Sequence, residues 1–167
     1  MITRTTLILF YLFVNTIFIV AQPGNKAVSA KDFTDNPWTF EPSVAAMEAK
    51  YGDFLKKEKF TVKNRFNPSQ KDTIIKFFRG KTEIFFYRPY NGEPLFFTAN
   101  IYDKKISLKG GISTLMPASE LYKKIAYPES NSDTLLISLP DGAYKTTMIF
   151  KEKKVFQIKI EAAKKNN

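Results

Sequence analysis

The chain of 167 residues contains no cysteine and no histidine. Without cysteine there is no disulfide framework, no thiol nucleophile and no soft-metal site. Without histidine the usual general base near neutral pH is missing, and so is the commonest transition-metal ligand. Zinc hydrolases, Ser-His-Asp triads and Cys-His dyads are excluded, which leaves carboxylate, lysine or tyrosine chemistry. A glycine-rich phosphate loop is also lacking. Gly110-Gly111 has no flanking glycine spacing and precedes a proline-started helix. No Ser-x-x-Lys dyad occurs. Asp32, Asp35 and Glu41 lack the spacing of a calcium loop and read as solvated loop acids. Glu83 and Glu93, near Tyr87 and Tyr90, are the one acid pair conceivable for glycosidase chemistry, and no other residue supports them. The expectation is a chain with no catalytic residue, no metal site and no cofactor.

What the chain has is aromatic side chains, 15% of its residues and mostly Phe, and a basic balance of 26 Lys and Arg against 16 Asp and Glu. The aromatic share argues against disorder in the body of the chain. The N-terminus reads as an address. Met1-Ile2-Thr3-Arg4 is a short positive segment, Leu7 to Val20 is almost wholly apolar, and Ala21 is a small residue at a cleavage point. Residues 1–21 are therefore expected to be a signal peptide cut after Ala21, giving a periplasmic or secreted protein. The alternative is a chain anchored by an uncleaved N-terminal helix, and only then is a membrane a partner. The apolar run is somewhat short for a span of about 20 residues. The positive charge is mostly lysine and scattered over the whole length, as on a solvated basic surface. Nucleic acid is accordingly not the expected partner.

The second half of the chain repeats the first. Thr39-Phe40-Glu41-Pro42-Ser43 returns as Thr114-Leu115-Met116-Pro117-Ala118, and Asp72-Thr73-Ile74-Ile75 as Asp133-Thr134-Leu135-Leu136. Gly80-Lys81-Thr82 is matched by Tyr144-Lys145-Thr146, and Leu95-Phe96-Phe97 by Val155-Phe156-Gln157. Each copy is a proline-started helix followed by three strands. Val44, Met47 and Tyr51 recur at helical spacing before Gly52. Leu121, Tyr122 and Ile125 do so in the second copy. Predicted strands are Thr73–Phe78, Thr82–Arg88 and Leu95–Tyr102, then Thr134–Leu139, Tyr144–Phe150 and Val155–Glu161, with Phe60–Phe66 as an extra strand. The predicted fold class is α+β, with two helix-plus-antiparallel-meander repeats forming one sheet and the helices on one face. A linker over 22–37 leads into a single domain over 38–162, with repeats at 38–105 and 111–162 and a tail at 163–167.

Alternation assigns the faces. Phe156, Ile158, Ile160 and Ala162 are expected inward, with Gln157, Lys159 and Glu161 outward. In the first copy Ile84, Phe86, Leu95, Phe97, Ala99 and Ile101 are expected inward, leaving Phe85, Tyr87, Phe96 and Tyr102 on the open face. An uncovered aromatic cluster is an interaction surface in outline. Alternatively, Phe60–Phe66 or the linker with Trp38 folds over it. The predicted binding residues are Phe85, Tyr87, Arg88, Tyr90, Phe96 and Tyr102.

The helix entries Thr39–Gly52 and Gly111–Ile125, followed by two meanders, resemble the beta-lactamase inhibitor protein fold and the related BamE-like outer-membrane assembly lipoproteins. The resemblance covers roughly residues 38–162. This chain departs from the pattern in having neither the inhibitor's disulfides nor a lipid-attachment cysteine. The resemblance implies a protein partner held on the exposed sheet face, where Phe85, Tyr87, Phe96 and Tyr102 would lie with Arg88 nearby. The expected function is that of an exported, non-enzymatic binding protein of the cell envelope. The alternative is a glycan- or peptidoglycan-binding module in which Tyr87, Tyr90 and Tyr102 stack on sugars.

Overall fold

The computed structural model of the chain describes residues 27–163. The expected signal peptide, its cleavage point, the first part of the linker and most of the tail lie outside the described residues. The chain is α+β. Helices α1 (Ala30–Asp35), α2 (Val44–Tyr51) and α3 (Ala118–Lys124) accompany seven strands. These are β1 (Lys56–Lys63), β2 (Lys71–Arg79), β3 (Thr82–Arg88), β4 (Leu95–Ile101), β5 (Thr134–Ile137), β6 (Tyr144–Lys151) and β7 (Lys154–Ala162). They form one antiparallel sheet in the order β1-β2-β3-β4-β7-β6-β5. Among the described residues no helix is long and apolar enough to cross a membrane.

Two meanders, β2-β3-β4 and β5-β6-β7, meet where β4 pairs with β7. Their pairing is symmetric about the facing residues Asn100 and Lys159, because Ala99 pairs with Ile160 and Ile101 with Ile158. Each meander also carries a bulge in its second hairpin. Phe85 faces Thr98 while Phe86 faces Phe96, so Phe97 is extra. Ile149 faces Gln157 while Phe150 faces Val155, so Phe156 is extra. The pairing therefore makes Thr82 equivalent to Thr146, Phe86 to Phe150, Phe96 to Val155 and Phe97 to Phe156. The match of Thr82 with Thr146 agrees with the sequence. The match of Leu95 with Val155 is off by one residue. That of Asp72 with Asp133 is off by three, since Phe77 faces Ile84 as Leu135 faces Met148.

The bulges also redraw the faces. An extra residue reverses the alternation on one side of it. Phe96 is consequently 8% exposed, while Leu95 and Phe97 are 64% and 62% exposed, the reverse of the expected pattern. Phe156, expected inward, stands out to solvent, and Val155 is buried in its place. Phe96 is thus a core residue and is withdrawn from the predicted binding set. Its ring sits 5.7 Å from Trp38, 5.8 Å from Phe86 and 5.6 Å from Tyr144, edge-on in each case. Such edge-to-face pairs add about 0.5–1.5 kcal/mol each beyond area burial.

The folded body begins earlier than Trp38. Ser29 caps α1, accepting the N–H of Asp32 at 3.0 Å and donating its hydroxyl to the Asp32 carboxylate at 2.6 Å. This reciprocal cap starts a helix in a stretch too short and polar to show periodicity. Phe33 and Thr34 are buried, and α1 packs on β5 and β6. The segment is also tied down by backbone bonds. The Val28 N–H donates to the Lys124 carbonyl at 2.7 Å, and the Lys109 N–H to the Pro37 carbonyl at 2.9 Å. Residues 28–37 are part of the core layer and do not form a linker. Gly110 makes room for them: its φ is +68°, and a Cβ there would lie 2.8 Å from Val28.

Met47 and Tyr51 of α2, Leu121 and Tyr122 of α3, and Phe33 of α1 join the inward strand residues in a single cluster. All the helices therefore lie on one side of the sheet. The edges are guarded differently. β1 carries exposed Lys56, Lys57, Lys59 and Lys63, and β5 is only four residues long. Both features discourage strand addition by another chain.

Two expectations about stability follow from these placements. Phe96→Ala should cost about 3–5 kcal/mol, as for a buried phenylalanine, whereas Phe97→Ser should stay within about 0.5 kcal/mol of the parent. Denaturant midpoints, followed through the buried Trp38, separate the two. The second expectation concerns the equivalent threonines. Thr82 Oγ1 accepts the N–H groups of Tyr102 and Asp103 at 2.9 and 3.0 Å. Thr146 Oγ1 is equally buried and has no partner among the described residues. Removing the Thr82 hydroxyl strands two donors, so Thr82→Val should destabilise by about 1–3 kcal/mol, while Thr146→Val should be neutral or stabilising. The same melts check both.

Candidate interaction face

On the side away from the helices, β3, β4, β6 and β7 present residues that are half-exposed or exposed. No described segment lies over them. Phe60–Phe66 does not fold across the face, because its ordered part is edge strand β1. Trp38 and its neighbours pack on the opposite side. An apolar row crosses four strands here, since Phe60 pairs with Ile74, Ile74 with Tyr87, and Tyr87 with Leu95. Phe97, ejected by its bulge, extends the row. Near the other end of the strands, Tyr102 meets Phe156 edge-on at 5.7 Å.

Between these apolar ends the face is charged and internally paired. The Lys76 ammonium lies 2.5 Å from Glu83 and spans the rings of Phe78 and Phe85 at 5.0 and 5.6 Å. Lys159 pairs with Glu161 at 3.0 Å. Exposed pairs of this kind contribute little stability, about 0–1 kcal/mol. Their effect is to keep a broad sheet face solvated.

Of the predicted residues, Phe85, Tyr87 and Tyr102 are half-buried on this face, and Arg88 and Tyr90 are exposed at its loop end. Tyr87 and Tyr102 do not share one platform. Leu95, the partner of Tyr87, is seven residues from Tyr102, which places them roughly 20 Å apart at the rise of a strand. Tyrosines so placed would meet different rings of a glycan, not the same one. Glu83 and Glu93 are separated in the same way. Glu83 is the second residue of β3 and Glu93 lies beyond its far end, at least roughly 17 Å along the strand. Paired glycosidase carboxylates stand about 5–9.5 Å apart. A concavity of about 630 Å³ lies beside α2 and β1, where Glu48 is already held by Lys57 at 2.6 Å.

Sequence reasoning missed Phe97 and Phe156, because neither bulge is visible in the alternation of apolar residues. It also underrated Asp72. This side chain is buried at the loop end of the face. It accepts the Tyr87 hydroxyl at 2.5 Å, the Asn64 amide at 3.0 and 3.1 Å, and the Tyr90 N–H at 3.0 Å. Asp133, its supposed counterpart, is exposed. The Tyr87 hydroxyl, followed by the Asn64 amide, holds the Asp72 carboxyl below its ordinary value. In turn the hydrogen bond to Asp72 raises the Tyr87 phenol. No family model, no curated protein and no solved structure matches this chain.

The Asp72 cluster sets a pH dependence. Its depressed carboxyl contributes stability that is complete above the unfolded value of about 4 and is lost as pH falls through the folded value. Tyr87, whose value is raised, contributes stability that is complete below about pH 10 and is lost as pH rises through its folded value. Asp72→Asn should therefore be less stable than the parent at pH 7, with the gap closing below about pH 4. Tyr87→Phe should show a gap that closes above about pH 10 and also narrows below about pH 4, where Asp72 protonates. Urea melts across that range measure both.

Proposed function

We propose that this protein is an exported, non-enzymatic binding protein of the cell envelope that recognises a protein partner through its open sheet face. The observation that carries the reading is the uncovered apolar row from Phe60 through Ile74 and Tyr87 to Leu95, together with Phe97. A seven-stranded sheet is about 30 Å across, and the face is roughly 20 Å deep. That area is of the same order as the ~800 Å² one partner contributes to a specific interface. Side chains spread over such a surface suit a protein better than one small ligand. Phe85, Tyr87 and Tyr102 lie within the contact area, and Arg88 and Tyr90 lie at its margin. The resemblance to the beta-lactamase inhibitor protein fold, in which the sheet face holds a partner, supports the same reading. The lysine-rich surface would favour an acidic partner and speed its approach.

Phe85→Ser combined with Phe97→Ser removes two aromatic contacts of the face, the second from the apolar row itself, without entering the core. The double variant should recover at least about tenfold less of a partner from envelope extract, since buried aromatic anchors each account for more than about 1 kcal/mol of binding. Lys59→Ser, on the other side of β1, should recover as much as the parent. Equal recovery by all three proteins would remove the open face from consideration.

A further inference from the structure

At one end of the sheet the β1–β2 and β3–β4 loops lift aromatic rings into solvent. Phe66 is 91% exposed and Tyr90 57%. An exposed ring on a slack loop would turn inward when it could, but these loops are tightly built. Asn64 Oδ1 accepts the N–H groups of both Phe66 and Asn67 at 2.8 Å, and Asn67 accepts the Ser69 hydroxyl at 2.6 Å. The Asn64 amide and the Tyr90 N–H both donate to Asp72, which locks the two loops to one carboxylate. Charge surrounds the rings. Lys63, Arg65, Lys71 and Arg88 are all exposed, and Glu93 is the only exposed carboxylate in stretches 63–71 and 88–94.

We infer that this loop end is a lipid-docking surface, with Phe66 entering the acyl boundary of an anionic bilayer leaflet and Tyr90 resting among its headgroups. The reasoning does not rest on the open-face reading: Phe66 and its loop lie outside that face, and only Tyr90 and Arg88, at its margin, are shared. Two rings on convex tips present no apolar area into which a folded partner could pack, but a fluid interface closes around any shape. An amphipathic tyrosine belongs at headgroup level, and a phenylalanine belongs below it. Four cations set around the rings match the negative surface of a leaflet carrying acidic lipids. Fixing both loops to Asp72 in advance removes the ordering cost that docking would otherwise incur.

The test uses the full chain carrying Phe66→Trp, with vesicles of phosphatidylcholine alone or mixed with phosphatidylglycerol. The difference from the parent, whose buried Trp38 supplies a constant background, reports the loop itself, whatever the N-terminal apolar segment does. The expected result is a blue-shifted emission shielded from an aqueous quencher with the anionic vesicles only, weakening as salt rises. Arg65→Gln and Arg88→Gln should each weaken the response about fivefold. Phe66→Ser should lower sedimentation with anionic vesicles about tenfold. An indole that stays fully quenchable while the protein co-sediments would overturn the assignment, as would an equal response to neutral vesicles. Loss of a captured protein in Phe66→Ser, with vesicles leaving the probe unchanged, would give the surface to a protein and end the lipid assignment.

Discussion

The ring of Phe96 lies between Trp38, Phe86 and Tyr144, and it reaches that place because β4 holds one residue more than β3 can pair. Trp38 comes from the N-terminal segment, Phe86 from the first meander and Tyr144 from the second. The contact therefore closes three parts of the chain onto one another. It also fixes what lies outside. With Phe96 inward, Phe97 is left over and turns to solvent, and Leu95 joins the apolar row beside Tyr87. The core and the candidate interaction face are two consequences of one bulge.

Much of this was legible in the sequence, and the exceptions share a cause. Strand β3 was predicted with its observed bounds because Arg79-Gly80 and Pro89 mark its two ends, although the turn itself falls at Gly80-Lys81. Helix α2 was legible from the spacing of Val44, Met47 and Tyr51, but it starts after the Ser43 cap, so Pro42, expected at its first position, lies just outside it. The open face was also legible in outline, since Phe85 and Tyr87 alternate with Ile84 and Phe86. The placement of Phe96 was not. Leu95-Phe96-Phe97 is apolar at every position, so alternation alone accepts either phase, and the phase is set by pairing across the sheet. Helix α1 was hidden for a different reason. Six residues hold fewer than two turns, too few for a periodic stripe, and the only local sign was the Ser29–Asp32 cap.

The two meanders share a pairing pattern and differ in finish. At Thr82 the chain leaves β4 immediately, and the freed N–H groups of Tyr102 and Asp103 bond to the threonine hydroxyl. At Thr146 strand β7 runs on instead, with Ala163 donating to the Ala143 carbonyl, and no donor is freed for the hydroxyl. The β6–β7 turn shows a similar accommodation. Glu152 and Lys153 both have positive φ, which is unfavourable for side-chain-bearing residues. The turn is held in place because the Lys153 carbonyl accepts the N–H of Ala118 at the start of α3. A helix N-terminus without a side-chain cap is thus satisfied by a strained turn from the neighbouring meander.

Asp72 gives the first meander a feature the second lacks. A buried carboxylate is tolerable only when its oxygens are occupied, and here an amide, a phenol and a backbone N–H occupy them. Two of those donors come from loops and one from the open face, so face and loop end are held as one rigid body. The Tyr87 hydroxyl is therefore committed to structure, and its ring is the part left half-exposed on the face. Asn64, which had no place among the predicted binding residues, determines how Phe66 is displayed. This end of the sheet is thus held by side-chain hydrogen bonds as well as by strand pairing.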